Sequence, residues 1–330
     1  MSPDTWLPLA FFALMGLAML IYAVLDGYDL GVGMLLKRAD TEAERDLMIA
    51  SIGPFWDANE TWLVLGVGLM LVAFPEAHGI VLGALYLPVA LMLAGLILRG
   101  VAFDFRAKAG LWQKGWWDTA FFAGSWITSL SQGYMLGAYV TGFDTSLGAT
   151  LFALLSAVCV SASYCLIGSA WLVAKTEGNL QASAWRWGRV ALVFSIAGLV
   201  LVSIVNPLVS TRIAERWFDF PSSLIVAPVP VMTAGLLVWL WRTFKHADNA
   251  HPYRPLLLTA PVFVLAFIGL GYSFFPDIVP GQLTLWDAAS STATLQIIFY
   301  GAIGVLPFII GYTVLSYWIF RGKATHLRYD

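Results

Sequence analysis

Two acidic pairs, Asp26 with Asp29 and Asp57 with Glu60, each stand three residues apart inside or beside strongly apolar stretches, and Arg99 follows an apolar run of 19 residues. Residues three apart share one helix face, so each pair presents two carboxyls in one direction. Such carboxyls can take up and release protons, and a guanidinium beside them tunes how readily they do so. Asp104, five residues beyond Arg99, adds a fifth acid. A charge at the middle of a bilayer costs about 2.5 to 3.5 kcal/mol on insertion scales, so ionisable groups there usually face a protein interior and mark function. The chemistry that these six residues offer together is proton transfer, if their helices are neighbours.

The elements that carry them belong in a membrane. Of 330 residues, 59% are hydrophobic and 12% charged, and mean hydropathy is +0.78. A soluble domain carries about 25% charged residues. Scanning for apolar runs of about 20 residues predicts an all-α, polytopic protein whose nine transmembrane helices lie near 7–36, 54–74, 80–104, 118–140, 148–174, 189–206, 224–241, 256–275 and 293–319. The whole of 1–330 is then one integral-membrane domain. Basic residues mark the cytoplasmic face, and 16 of the 18, from Lys37 to Arg328, fall in alternate loops or the tail, leaving only Arg212 and Arg216 opposite. The N-terminus is therefore expected outside, in the periplasm, and the C-terminus in the cytoplasm. The first helix lacks the basic n-region and small-residue cleavage site of a signal peptide, and is expected to stay in the protein.

The first helix is long: Trp6 to Leu36 is 31 residues, roughly 46 Å of helix. It must tilt or break at Gly27, Gly31 or Gly33. The second is short, with 13 apolar positions from Trp62 to Phe74, roughly 20 Å against a hydrocarbon core of about 30 Å. Asp57 there reads as an N-cap drawn below the membrane surface, and the Trp-Asp pair recurs as Trp117-Asp118 and Trp286-Asp287, both read as plain caps. Arg99 reads either as a snorkelling cation or as the common partner of the acids.

Cys159 and Cys165, six apart and about 240° around one helix, read as small core residues that cannot bridge each other. The histidines, His78, His246, His251 and His326, fall in loops or the tail, so no axial haem ligand is expected within the membrane, and no metal-binding spacing is present. No basic tract suits nucleic acid. In "FFPDIVPGQLTLWDAASSTATLQIIFYG", Pro276, Pro280 and Gly281 break the chain, and Ala288, Ser291 and Thr292 form a small face for close packing.

The stretches "LDGYDLGVGML", "FWDANETWLV", "LRGVAFDFR" and "FPDIVPGQLTLWDAASSTATL" occur in an order and spacing that resembles subunit II of cytochrome bd-type quinol oxidases, including the cyanide-insensitive branch. The resemblance covers essentially the whole chain. It implies a heterodimer with a nine-helix subunit I that carries two b-type haems and one d-type haem and oxidises quinol, while O2 is reduced to water with protons from the cytoplasm. It also implies a haem-free subunit II in the bacterial inner membrane, in contact with lipid and quinone, with room for a small accessory subunit. Carried over by motif, Asp29, Asp57, Arg99 and Asp104 line a proton route, with Asp26 and Glu60 as motif neighbours. The rival readings are a secondary transporter and a purely structural membrane subunit.

Overall fold

A computed structural model describes residues 2–209, 211–220, 222–246 and 250–325; His326 and Arg328 lie outside it, as does the side chain of Arg212. The chain forms helices α1 (Pro3–Leu35), α2 (Glu42–Ile52), α3 (Trp56–Ala73), α4 (Pro75–Lys108), α5 (Leu111–Val140), α6 (Leu147–Lys175), α7 (Gly178–Val209), α8 (Thr211–Phe218), α9 (Ser222–Val226), α10 (Pro228–Lys245), α11 (Arg254–Phe274) and α12 (Thr292–Ile319). Strands β1 (Asp277–Val279) and β2 (Leu283–Thr284) make a small antiparallel hairpin between α11 and α12.

Among the described residues seven helices are long and apolar enough to cross a membrane: α1, α4, α6, α7, α10 with the end of α9, α11 and α12. An all-α polytopic membrane protein is therefore what the sequence forms. The two remaining expected spans, α3 and α5, are helical where predicted but more polar. α3 opens on Asp57, Asn59 and Glu60, and α5 carries Lys114, Asp118, Ser125, Thr128, Ser129, Ser131 and Gln132. Both turn part of those groups inward: Asn59, Asp118, Ser125, Thr128, Ser129 and Ser131 are buried, while Asp57 stays exposed.

α1 is central, packing against α3, α5 and α6. It does not break at its glycines, but runs unbroken to Leu35 and ends in a 3-10 turn, Leu36–Arg38. The glycines serve close approach instead. A Cβ on Gly31 would lie 1.9 Å from the Tyr164 carbonyl oxygen, and one on Gly168 2.5 Å from Gly31 carbonyl carbon. Gly124 likewise brings α5 against α4, where an added Cβ would sit 2.6 Å from the Gly95 carbonyl oxygen and 3.0 Å from the Arg99 nitrogen. α4 bends at Leu85, three residues before Pro88, whose ring and missing N–H explain the bend.

The Trp-Asp pairs are not caps. α5 starts at Leu111, so Asp118 lies inside it, and α12 starts after Ser291, whose hydroxyl accepts from the Thr294 N–H. Asp287 instead accepts from the Thr284 hydroxyl in the turn after β2. α3 has no side-chain cap at all; Phe55 holds the N-cap position and Asp57 lies one residue inside the helix. The break foreseen at Pro280 and Gly281 is the hairpin turn: Pro280 presets one angle, Gly281 takes φ +70°, and the Gln282 N–H closes on the Val279 carbonyl.

α2 begins with a reciprocal cap, Thr41 Oγ1 accepting from the Glu44 N–H and the Glu44 carboxylate accepting from the Thr41 N–H. It is fastened to the ends of α4 and α5 by charge. Asp118 accepts from Arg106 Nε at 2.5 Å and Arg45 Nε at 3.0 Å, while Asp46 faces Arg106 at 2.6 Å and Lys114 at 3.3 Å. Partial burial pushes the Asp46 carboxyl up, but Arg106 and Lys114 outweigh it and hold it below the usual carboxylate range. A carboxyl depressed by folding stabilises above its unfolded value, about pH 4, and loses that contribution as pH falls through the folded value. Amide exchange in α2 should accordingly rise below about pH 4, and Asp118→Asn should raise it at neutral pH by about tenfold, the effect of 1 to 2 kcal/mol. Protection of α2 that is unchanged in the variant would contradict the fastening.

Candidate functional site

The buried polar centre is built from α1, α3 and α4. Arg99 is 1% exposed and its Nη1 donates to Asp26 Oδ1 at 2.8 Å, while Nη2 stands 3.8 Å from Asp29 Oδ2. Both aspartates are fully buried. Arg99 therefore does not snorkel. Its guanidinium lies 6.0 Å from the Phe121 ring centre, on the α5 segment that Gly124 brings close. The i, i+3 spacing puts both carboxyls on one face of α1, and Arg99 on α4 reaches between them. Two buried carboxyls share one guanidinium, a combination stable only because the geometry is close and further donors are present.

Those donors are the residues that the sequence reading missed. Asn59 Nδ2 donates to Asp29 Oδ2 and to the Tyr28 hydroxyl, each at 2.8 Å. The Tyr317 hydroxyl donates to Asn59 Oδ1 at 3.0 Å. On the other side Tyr22 lies beside Asp26, Gln132 Nε2 donates to the Tyr22 hydroxyl at 2.6 Å, and the Tyr164 hydroxyl donates to Gln132 Oε1 at 2.8 Å. Asn59 and Gln132 could have been found, since an amide within an apolar helix also needs partners.

Of the six expected site residues, Asp26, Asp29 and Arg99 come together. Glu60 is half-buried one turn from Asp57 and within electrostatic reach of Asp26 and Arg99. Asp57 and Asp104 are exposed and do not join the ion pair. The expectation that all five acids converge on Arg99 is thus corrected to two. The helix geometry explains it: Asp57 stands two residues before Asn59 in α3, about 200° away on the axis, and Asp104 five residues beyond Arg99 in α4, about 140° away.

Among the described residues no group of three or more His, Cys, Asp or Glu side chains could hold a metal ion. His246 and His251 are exposed, and His78 is half-buried in the first turn of α4. Cys159 and Cys165 are free, and half-buried where core positions were expected.

Residues 7–320 match the family model described as cytochrome bd terminal oxidase subunit II. The chain belongs to that family. Subunit 2 of the cytochrome bd-I ubiquinol oxidase of Escherichia coli strain K12 is 29% identical, over 94% of this chain and 93% of its own length. The cytochrome bd ubiquinol oxidase subunit 2 of Bacillus subtilis strain 168 is 27% identical, over 98% and 97%. These relatives are subunits of a quinol oxidoreductase complex. The fold matches that of the bd oxidase from Geobacillus thermodenitrificans with a TM-score of 0.77 at 16% identity, covering 97% of this chain and 100% of the other. Subunit II of this family therefore presents, in this sequence, a buried cluster of two aspartates, one arginine and one asparagine.

Proposed function

We propose that this chain is the haem-free subunit II of a quinol:O2 oxidoreductase in the bacterial inner membrane, acting as one membrane unit that supports a haem-bearing subunit I and conducts protons toward the site of O2 reduction. Nine helices span the bilayer, with the N-terminus in the periplasm and the end rich in Lys and Arg in the cytoplasm. The two b-type haems and the d-type haem belong to subunit I, where quinol is oxidised.

The buried Asp26–Arg99–Asp29 cluster carries the reading. A buried ion pair adds little stability over an apolar pair of the same size, so packing alone gives no reason for two carboxyls here. Among the described residues Asp26 Oδ2, Asp29 Oδ1 and Arg99 Nε and Nη2 have no hydrogen-bond partner, and buried polar atoms of that kind are ordinarily met by water. Asp57, exposed at the end of α3, is the intake, and half-buried Glu60 stands between it and the cluster; Asp104 is a second intake on α4. The short apolar run of α3 follows from this, because its first turn borders the path and not lipid. A secondary transporter would place a discontinuous helix at its acids. Here α1 passes both aspartates unbroken, and the bend of α4 at Leu85 lies away from Arg99.

Asp29→Asn keeps the size of the side chain and removes its titrating group. Turnover of the assembled oxidase, measured per haem, should fall at least about a hundredfold, at the low end of what a positioned acid or base contributes. Proton uptake should fall with it. Asp57→Asn should cost less, since Asp57 is exposed on this chain and stands outside the ion pair. Full turnover and proton uptake in Asp29→Asn would refute the route.

A further inference from the structure

Arg186 and Arg189 stand three residues apart on α7, immediately before its apolar stretch begins at Val190. That spacing puts both guanidiniums on one helix face. A cleft of about 620 Å³ lies between this face and the start of α2, a volume typical of small-molecule sites. Its walls carry opposite charge. Ser183, Arg186 and Arg189 stand on the α7 side, Asp40 and Glu44 on the α2 side, and Trp185 lines it as well. No arginine nitrogen comes within 4.0 Å of a carboxylate oxygen across the cleft, so the two walls do not pair with each other.

Each charged group is oriented by one bond and keeps others to give. Arg186 Nη2 donates to the buried Ser183 hydroxyl at 2.9 Å, and Arg189 Nη2 donates to the Phe244 carbonyl at 2.9 Å. Trp185 packs edge-to-face on the Phe244 ring, with centres 5.4 Å apart, which sets the end of α10 beside the cleft. A guanidinium has five donors, and among the described residues no other acceptor takes those of Arg186 or Arg189. Glu44 Oε2 accepts from the Asp40 and Thr41 N–H groups at 2.9 and 3.3 Å, while its Oε1 and the Asp40 carboxylate accept from no described residue. Further along α7 the same face turns apolar. Val190 and Val193 continue the row from Arg186 at four and seven residues, 57% and 47% exposed. Charge followed by exposed hydrocarbon is the depth order of a phospholipid.

We propose that this cleft binds the headgroup of phosphatidylethanolamine, with its phosphate on Arg186 and Arg189, its primary ammonium on Asp40 and Glu44, and its acyl chains along Val190 and Val193. Guanidinium and phosphate make strong, geometrically specific hydrogen bonds. The acidic wall sets the choice among lipids. A phosphatidylglycerol headgroup brings a negative charge and no cation to meet the carboxylates. The trimethylated ammonium of phosphatidylcholine carries the charge but has no N–H to donate. Asp40 follows α1 and Phe244 ends α10, so the cleft lies where Lys37, Arg38, Arg242 and Lys245 gather, the cytoplasmic leaflet in the proposed orientation. The site goes beyond the proton route and shares no residue with it.

The test titrates the intact oxidase, stripped of lipid in detergent, with one short-chain lipid at a time and counts bound molecules by native mass spectrometry. The unmodified complex should retain phosphatidylethanolamine at least about tenfold more tightly than phosphatidylglycerol or phosphatidylcholine, the worth of one charged hydrogen bond. Arg189→Gln should weaken that retention by a similar factor. Asp40→Asn combined with Glu44→Gln, in which glutamine keeps the α2 cap, should abolish the preference over phosphatidylcholine and strengthen retention of phosphatidylglycerol. Equal retention of the three lipids by the unmodified complex would overturn the proposal, as would a preference for phosphatidylethanolamine that survives in the acid-wall variant. Soluble phosphoethanolamine that binds as tightly as the lipid would overturn the membrane source and leave only the headgroup chemistry. If Arg189→Gln fails to assemble, the acid-wall variant still decides.

Discussion

Replacing Arg99 by Leu is expected to cost the assembled oxidase about 3 to 5 kcal/mol, the range for removing one partner of a buried ion pair. The loss comes from what stays behind. Asp26 and Asp29 are both fully buried, and Arg99 is the cation that faces them, at 2.8 and 3.8 Å. Without it two anions remain in a low-dielectric interior, where each must bind a proton or draw water inward. The leucine also abandons the cation's place over Phe121. The yield of complex from membranes should drop and its thermal midpoint fall. Arg99→Lys should lie between, since an ammonium restores charge but not the fork that reaches two carboxyls. Asp26→Asn combined with Arg99→Leu should recover part of the loss by removing the anion in closest contact. An Arg99→Leu complex as stable as the unmodified one would show that the cluster is hydrated bulk and not a buried pair.

Gly31→Ala is the second large effect. Its new methyl would stand 1.9 Å from the Tyr164 carbonyl oxygen and 2.9 Å from the Gly168 Cα, both backbone atoms that no rotamer change can move. α1 and α6 must therefore separate. Overpacking of this kind costs about 1 to 3 kcal/mol and occasionally more, and the shift would be carried to Asp29, two residues earlier on α1. Loss of both assembly and turnover is expected, read as haem-normalised activity and as thermal midpoint. Gly115→Ala on α5 is the matched control, with nothing within 4 Å of the added Cβ. There the higher helix propensity of alanine should stabilise by up to about 1 kcal/mol. Equal behaviour of the two variants would rule out the α1–α6 contact.

The two predictions also measure how far the sequence could be read. Runs of apolar residues located the helices because burial in lipid is a one-dimensional property of composition. Asp26, Asp29 and Arg99 were visible because a charge in such a run requires a reason. Their convergence was not, because it depends on which helices are neighbours, and α1 meets α4 through contacts 73 residues apart. Asp57 and Asp118 show the opposite failure. Each looked like a cap by its place before an apolar run, yet the helix boundaries fell elsewhere, leaving Asp57 exposed and Asp118 buried between two arginines. Tyr317 gave no local signal, since an isolated tyrosine is ordinary in a membrane protein.

The same 73-residue separation between Asp26 and Arg99 bears on biogenesis. Ribosomes add roughly 5 to 20 residues each second. The amino-terminal segment thus leaves the ribosome some 4 to 15 s before its counter-ion has been translated. During that interval its two aspartates must stay neutral or stay wet, until the fourth helix brings the guanidinium that lets them be buried.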